Sequence, residues 1–254
     1  EKVINRAYMG VVMRTPEVWE YLYDNPKILK NTQKLRAMIH RFNTGKLKSL
    51  LDEFKPDVII CTQAFPCGMI ADYKKSLNIR IPLIGVLTDY APHSYWVFNE
   101  VDKYIVPSAD TGKKLIDNGI DPAKVEEFGI PIDPKFRDCR TREELCDEMG
   151  IDQRTPCVLI MGGTQGLGPI KNVARLLDAS GINLQVIIAT GTNKKVYNWL
   201  KSRRFKKKFI ILPFAGNVNE LMRVATVIIT KPGGITTAEA LVAGLEHLEY
   251  LAQR

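Results

Sequence analysis

The apolar positions change period at residue 55. Before it, Asn31 to Phe54 carry apolar residues at helical spacing, and Pro16 opens a second helical run through Trp19, Tyr21 and Tyr23, so residues 1–54 read as helices. Tyr8, Trp19, Tyr21 and Tyr23 read as core aromatics; if exposed, their rings would suit a membrane interface. After it, short β-branched runs alternate with helical stretches. Asp57–Thr62, Pro82–Thr88 and Lys103–Val106 are expected strands, and Gly68–Leu77 and Ala109–Asn118 expected helices. Past a charged helix over Thr141–Met149 the alternation resumes. Strands are expected at Cys157–Met161, Leu184–Ala189, Phe209–Pro213 and Thr226–Thr230, with helices at Ile170–Ser180, Lys194–Arg203 and Asn217–Val224. Such alternation predicts parallel sheets with helical crossovers. Gly129-Ile130-Pro131-Ile132-Asp133-Pro134, where two prolines disfavour helix, is the expected connection, giving two Rossmann-like domains, 1–133 and 134–254.

Ligands of such sheets gather at the carboxyl ends of the strands. Two of these ends run into glycine turns in the second half. Thr226 to Gly244 passes from a strand through Lys231-Pro232-Gly233-Gly234 into a helix start, where Ile235, Thr236 and Thr237 follow. Glycines that admit a close ligand, free helix N–H groups, hydroxyls and one lysine make an anion site. Thr236-x-x-Glu239 is also the spacing of a capping box, in which the glutamate reaches back to the N-cap amide. Spacing alone leaves that reading and a ribose-binding carboxylate both open. The second turn, Gly162-Gly163-Thr164-Gln165-Gly166-Leu167-Gly168, lacks the Walker ending and the G-x-G-x-x-G spacing, which disfavours a GTPase or a dehydrogenase. Two such loops on adjacent strand ends favour a shared diphosphate ligand. In the first half, Asp89, His93 and Trp96 follow the strand that ends at Thr88.

Composition narrows the class. With 254 residues and 45% apolar content the chain can bury sizeable cores, and no apolar run approaches a membrane span. The five cysteines lack zinc spacing, and no Asp-x-Asp pair suits a magnesium ion, so no metal is expected. Residues 1–133 hold 18 Lys and Arg against 17 acids, and 134–254 hold 18 against 11, so the excess charge belongs to the second half. Six cations crowd Lys201 to Lys208. Such runs are mostly solvated helix ends, attraction to an anionic bilayer being the alternative. Nucleic acid is not expected, for want of interleaved aromatics or a known module.

Thr88-Asp89-Tyr90-Ala91-Pro92-His93-Ser94-Tyr95-Trp96, Val101 to Ser108 and Gly129-Ile130-Pro131-Ile132 resemble the amino-terminal domain of the monogalactosyldiacylglycerol synthase family, which includes processive diacylglycerol glucosyltransferases. Gly162-Gly163 and Lys231-Pro232-Gly233-Gly234 with Glu239-Ala240 resemble the carboxyl domain shared with the lipid-II-forming N-acetylglucosaminyltransferase. The resemblance spans about residues 2–245. It implies the α/β GT-B fold, two Rossmann-like domains with parallel sheets facing across a cleft, the lipid acceptor on the first and the UDP-sugar on the second. It also implies inversion with no cofactor. Glu239 would hold the ribose hydroxyls, Gly162 to Gln165 and Gly233 to Thr237 would line the diphosphate with Lys231, and Phe214, Ala215 and Val218 would frame the uracil.

What the resemblance implies is an inverting transferase moving galactose or glucose from UDP-galactose or UDP-glucose to diacylglycerol. It would sit in the cytoplasm, peripheral on the inner face of an anionic membrane. His93 and Asp89 are the candidate catalytic residues, His93 as base or as an ordering group for the acceptor with Asp89 as partner. Two family features have no counterpart here: a glycine-rich G-G-H loop before Glu1, and a Pro, strand and G-Q-E segment after Gly244, where Leu245 to Tyr250 is expected as a helix. Both domains therefore read as incomplete, and the polypeptide as able to bind UDP without turnover. The rivals are a polyprenyl-linked acceptor, a UDP-sugar epimerase and a non-catalytic nucleotide-sugar-binding protein.

Overall fold

The computed structural model describes residues 47–77, 79–92, 94–138 and 140–249, so the helices expected before residue 47, with their aromatics, and the candidate His93 lie outside the described residues. Two compact units meet between Ile130 and Pro131. In the first, residues 47–54 are helical, and a parallel sheet of order β1-β2-β3-β4 follows. Its strands are β1 (Ile59–Cys61), β2 (Leu83–Val86), β3 (Lys103–Val106) and β4 (Val125–Glu127), linked by helices α1 (Ala64–Leu77) and α2 (Ala109–Asp117). Helix α1 begins four residues earlier than its sequence suggests, and β4 was not expected at all.

Beyond β2, residues 94–98 rest on a single hydroxyl. Tyr104, fully buried, donates to the carbonyl of Trp96 at 2.5 Å and accepts from the N–H of Phe98 at 3.0 Å. Trp96 and Phe98 are themselves buried in the core of this unit. Phe98 lies so close to α1 that a Cβ on Gly68 would fall 2.5 Å from its ring. Tyr104→Phe removes the hydroxyl that serves the buried Trp96 carbonyl and the Phe98 N–H. Its expected cost is about 1–3 kcal/mol in urea unfolding, the desolvation penalty of an orphaned polar group.

The second unit holds a five-stranded parallel sheet of order β7-β6-β5-β8-β9. Its strands are β5 (Cys157–Met161), β6 (Gln185–Ala189), β7 (Phe209–Leu212), β8 (Val227–Thr230) and β9 (Glu246–Glu249); the helices are α3 (Arg142–Met149), α4 (Ile170–Ala179), α5 (Lys194–Lys201), α6 (Val218–Val224) and α7 (Gly234–Val242). Helix α3 starts with a capping box, the Thr141 hydroxyl and the Glu144 carboxylate each accepting from the other's backbone N–H. Alternate residues of β5 point to opposite faces. Leu159 and Met161 meet Leu145 of α3, Leu221 of α6 and Ala240 of α7, whereas Val158 and Ile160 meet Ala174 of α4 and Leu200 of α5. All five residues of β5 and of β6 are buried, as a strand covered on both faces must be.

One expectation fails here and one open reading closes. Leu245 to Tyr250 was expected as a helix, but Glu246–Glu249 pair in parallel with β8, because β8 otherwise presents an open row of backbone groups at the sheet edge. Thr236 is no N-cap: α7 begins at Gly234 with Gly233 as its cap, so Glu239 lies inside the helix and no capping box forms.

Candidate functional site

The register sets the strand ends of the second sheet level. Met161 pairs with both Ala189 and Thr230, Ala189 with Leu212, and Thr230 with Glu249, so the loops after β5, β6, β7 and β8 all leave one edge. The chain runs outward from β5 to β6 and β7, then returns through α6 to β8 on the other side of β5. The β5–β8 pair is therefore the topological switch point, where parallel sheets open a crevice beyond their carboxyl ends. Both glycine turns leave the sheet there.

The first turn is shaped by its own backbone and by the turn after β6. The N–H of Gly166 donates to the carbonyl of Gly163 at 2.9 Å and that of Leu167 to Gly162 at 2.9 Å. Thr192 donates from its N–H to the carbonyl of Thr164 at 2.8 Å, and the Asn193 amide donates to the carbonyl of Gly166 at 3.1 Å. Contact is so close that a Cβ on Gly166 would lie 2.0 Å from the carbonyl oxygen of Thr190, and one on Gly191 2.2 Å from that of Thr164. Thr164 and Gln165 stay exposed at the tip. Residues 190–193 were not singled out in the sequence reading, although a glycine just past a buried strand, Thr190-Gly191-Thr192, is the signal that could have found them.

The second turn lies against the first. The Lys231 side chain passes Gly163 so closely that a Cβ there would meet its Cε at 3.0 Å. Lys231 is exposed and takes part in none of the ion pairs among the described residues. No side chain caps α7, so its first N–H groups keep no intrahelical partner, and Pro169 likewise leaves α4 without a side-chain cap. An anion at this crevice would meet amide donors, one ammonium and the positive ends of two helices.

Glu239 sits one turn beyond, half-buried, and its carboxylate makes no hydrogen bond or ion pair among the described residues. Burial pushes its carboxyl above the usual range; nearby Lys135 opposes the shift and Asp133 adds to it. Asp133 and Lys135 pair with each other at 3.2 Å. Of the other expected site residues, Phe214 is 61% exposed just past β7, and Ala215 and Val218 are half-buried on the way to α6. The structure thus brings the two glycine turns together, with Phe214, Ala215 and Val218 along the same sheet edge. Asp89 belongs to the first unit, where it is exposed beyond β2.

The monogalactosyldiacylglycerol (MGDG) synthase family model matches residues 1–132, more than half of the sequence, and the glycosyltransferase family 28 C-terminal domain matches residues 157–248. The chain belongs to the MGDG synthase family. It is 32% identical over 214 residues to the processive diacylglycerol beta-glucosyltransferase of Bacillus subtilis, covering 83% of this chain and 55% of that protein. With the enzyme of the same name from Bacillus cereus it is 33% identical over 221 residues, covering 86% and 56%. The chain thus spans little more than half the length of these curated relatives.

Among solved structures, the UDP-GlcNAc 2-epimerase of Neisseria meningitidis bound to UDP-GlcNAc superposes with a TM-score of 0.60 at 16% identity, over 84% of this chain and 64% of that one. The HepE protein of Anabaena in complex with UDP-glucose superposes with a TM-score of 0.52 at 13% identity, over 85% and 62%. The architecture is α/β of GT-B type, with one parallel Rossmann-like sheet in each unit.

Proposed function

We propose that the second unit binds the UDP-sugar, UDP-glucose or UDP-galactose, and that the protein transfers the hexosyl group with inversion to diacylglycerol. The observation that carries this reading is the meeting of two amide-rich turns, two uncapped helix starts and Lys231 at the β5–β8 switch point. Attack by the acceptor hydroxyl on the anomeric carbon forms one C–O bond and breaks the bond to the diphosphate. The hydroxyl proton passes to a base, and the electron pair leaves with UDP. Gly162 to Gln165, Gly233 to Thr237 and Lys231 would hold the departing charge, as donors fixed in place before the reaction do. Glu239 would accept from the ribose hydroxyls, and Phe214, Ala215 and Val218 would flank the uracil. His93 and Asp89, beyond β2, belong to the acceptor side in this reading.

The Bacillus relatives' names supply the diacylglycerol acceptor, and a sheet edge open to a diphosphate supplies the donor half. No helix among the described residues is long and apolar enough to cross a membrane, which fits a peripheral enzyme at an anionic inner membrane face. Likeness to an epimerase supports nucleotide-sugar binding equally well, so turnover must decide between them.

Titration calorimetry with UDP is expected to show binding that EDTA leaves unchanged, since amides, hydroxyls and one ammonium would carry the diphosphate. Among the described residues no three His, Cys, Asp or Glu side chains group as metal ligands. Binding that disappears in EDTA and returns with Mg²⁺ would overturn this metal-free donor site. UDP binding without hexosyl transfer to diacylglycerol by the intact protein would favour a non-catalytic nucleotide-sugar-binding protein.

A further inference from the structure

The net positive charge of this chain sits almost wholly in one segment of the second unit. Residues 170–208 hold ten of the 36 lysines and arginines and one of the 28 acids, so the remainder, 26 against 27, is neutral to within one charge. These residues form α4, β6, α5 and the run from α5 to β7, which holds five of the ten cations, Arg203 to Lys208; the two helices cover the same face of the sheet, opposite α3 and α6.

The single acid does not neutralise its neighbours. Asp178 Oδ1 accepts from the backbone N–H groups of Lys206 and Lys207, at 2.8 and 3.1 Å. The Lys207 ammonium donates to the carbonyls of Ser180 and Ile182, neutral partners that leave its charge in place, and that of Lys208 donates to the carbonyl of Gly150 with Asp152 nearby. Three further cations gather on one ring: Lys171, Arg175 and Arg203 lie 5.3, 4.9 and 4.7 Å from the centre of the Trp199 indole. None of the three is in an ion pair among the described residues. The ring draws in cations that would otherwise repel one another.

We propose that this α4–α5 face is the surface on which the protein lies against an anionic lipid bilayer. It deepens the membrane-facing reading above and rests on it. The charge density matches the clusters that anionic leaflets attract. Two large aliphatic side chains, Leu176 at 71% and Ile182 at 63% exposure, stand in the same segment and can enter the boundary between headgroups and acyl chains. Trp199, half-buried against the core with its ring already covered by cations, has the apolar body and polar edge suited to that boundary. A single-stranded nucleic acid would need open ring faces for its bases, and here guanidinium groups occupy them.

The experiment is co-sedimentation of the full chain with phosphatidylcholine vesicles with and without phosphatidylglycerol. Binding is expected only with the anionic lipid, and should weaken sharply between about 0.1 M and 1 M salt, as the Debye length falls from about 10 to 3 Å. The variant R175E/R203E/R204E is expected to lose at least about a hundredfold in vesicle affinity, some fivefold for each cation removed and more for the carboxylates added. K113E/K114E, on α2 of the first unit, should lose far less. Circular dichroism and UDP calorimetry on each variant show whether it is folded and whether its donor site persists. Equal vesicle binding by the triple variant and the wild type, or equal losses in both variants, overturns the proposal, as does displacement from vesicles by duplex DNA at matched phosphate. Loss of UDP binding with anionic vesicle binding intact would instead overturn the donor reading and leave this surface standing.

Discussion

Glu239→Gln is expected to weaken UDP binding by about 1.5–3 kcal/mol, roughly ten- to a hundredfold, while the melting temperature at neutral pH stays level or rises. The first effect follows if the carboxylate accepts charge-assisted hydrogen bonds from the ribose, which an amide oxygen replaces with weaker ones. The second follows from its surroundings. The Glu239 carboxylate has no hydrogen-bond or ion-pair partner among the described residues, and burial raises its pKa above the ordinary range. A group with a raised folded-state pKa binds its proton more tightly in the folded protein. That contribution to stability is present in acid and lost as pH rises through the folded value. Glutamine carries no such charge, so any gain from the variant should appear at neutral pH and vanish as the wild-type carboxyl protonates. Over the same acid range, wild-type UDP affinity should fall and that of the variant stay flat. An unchanged UDP affinity together with a lowered melting temperature would mean that Glu239 serves the fold and not the ligand.

That experiment separates two readings that the sequence alone could not. Thr236-x-x-Glu239 has the spacing of a capping box, and nothing in the spacing says where the helix begins. The fold begins it three residues earlier: Pro232 cannot continue β8, Gly233 takes an extended conformation at φ −166°, and the first helical residue is Gly234. With Thr236 inside the helix, the glutamate has no cap to complete.

The parallel strands of both units were legible because each is a short apolar run bounded by turn residues, and the helices because their periodicity is strong. Cys157–Met161 carries no polar residue to blur its limits, and strand β5 coincides with it. The two elements missed or misread share a cause. Val125–Glu127 has two glutamates in three positions and is half-exposed at a sheet edge, so its strand state comes from pairing with β3 and not from its own composition. Leu245 to Tyr250 places leucines three apart, which mimics a helix, yet pairing with β8 decides its conformation. Both glycine turns could be read from the sequence, and so could the need for adjacent strands. Which turn would brace them could not, since the contact between Thr164 and Thr192 joins residues 28 apart.

Gly191→Ala tests that brace, at an expected cost of about 2–5 kcal/mol in urea unfolding. Two costs add. At φ +57° an alanine pays the steric penalty of the left-handed region, about 1–2 kcal/mol. Its Cβ would also lie 2.2 Å from the carbonyl oxygen of Thr164, 2.7 Å from its carbon and 2.9 Å from the carbonyl oxygen of Gly163. Those are backbone atoms that cannot rotate away, so the loop must shift, at about 1–3 kcal/mol for an overpacked contact. Gly244→Ala is the control, since its φ of +75° carries the first penalty while nothing stands within 4 Å to impose the second. The shift would also pull Thr164 from the N–H of Thr192 and displace the Gly162–Gln165 amides from the crevice. The folded fraction of Gly191→Ala should therefore bind UDP at least tenfold more weakly, with Gly244→Ala close to wild type. A Gly191→Ala protein with the control's stability and full UDP affinity would show that the turn after β6 does not shape the donor site.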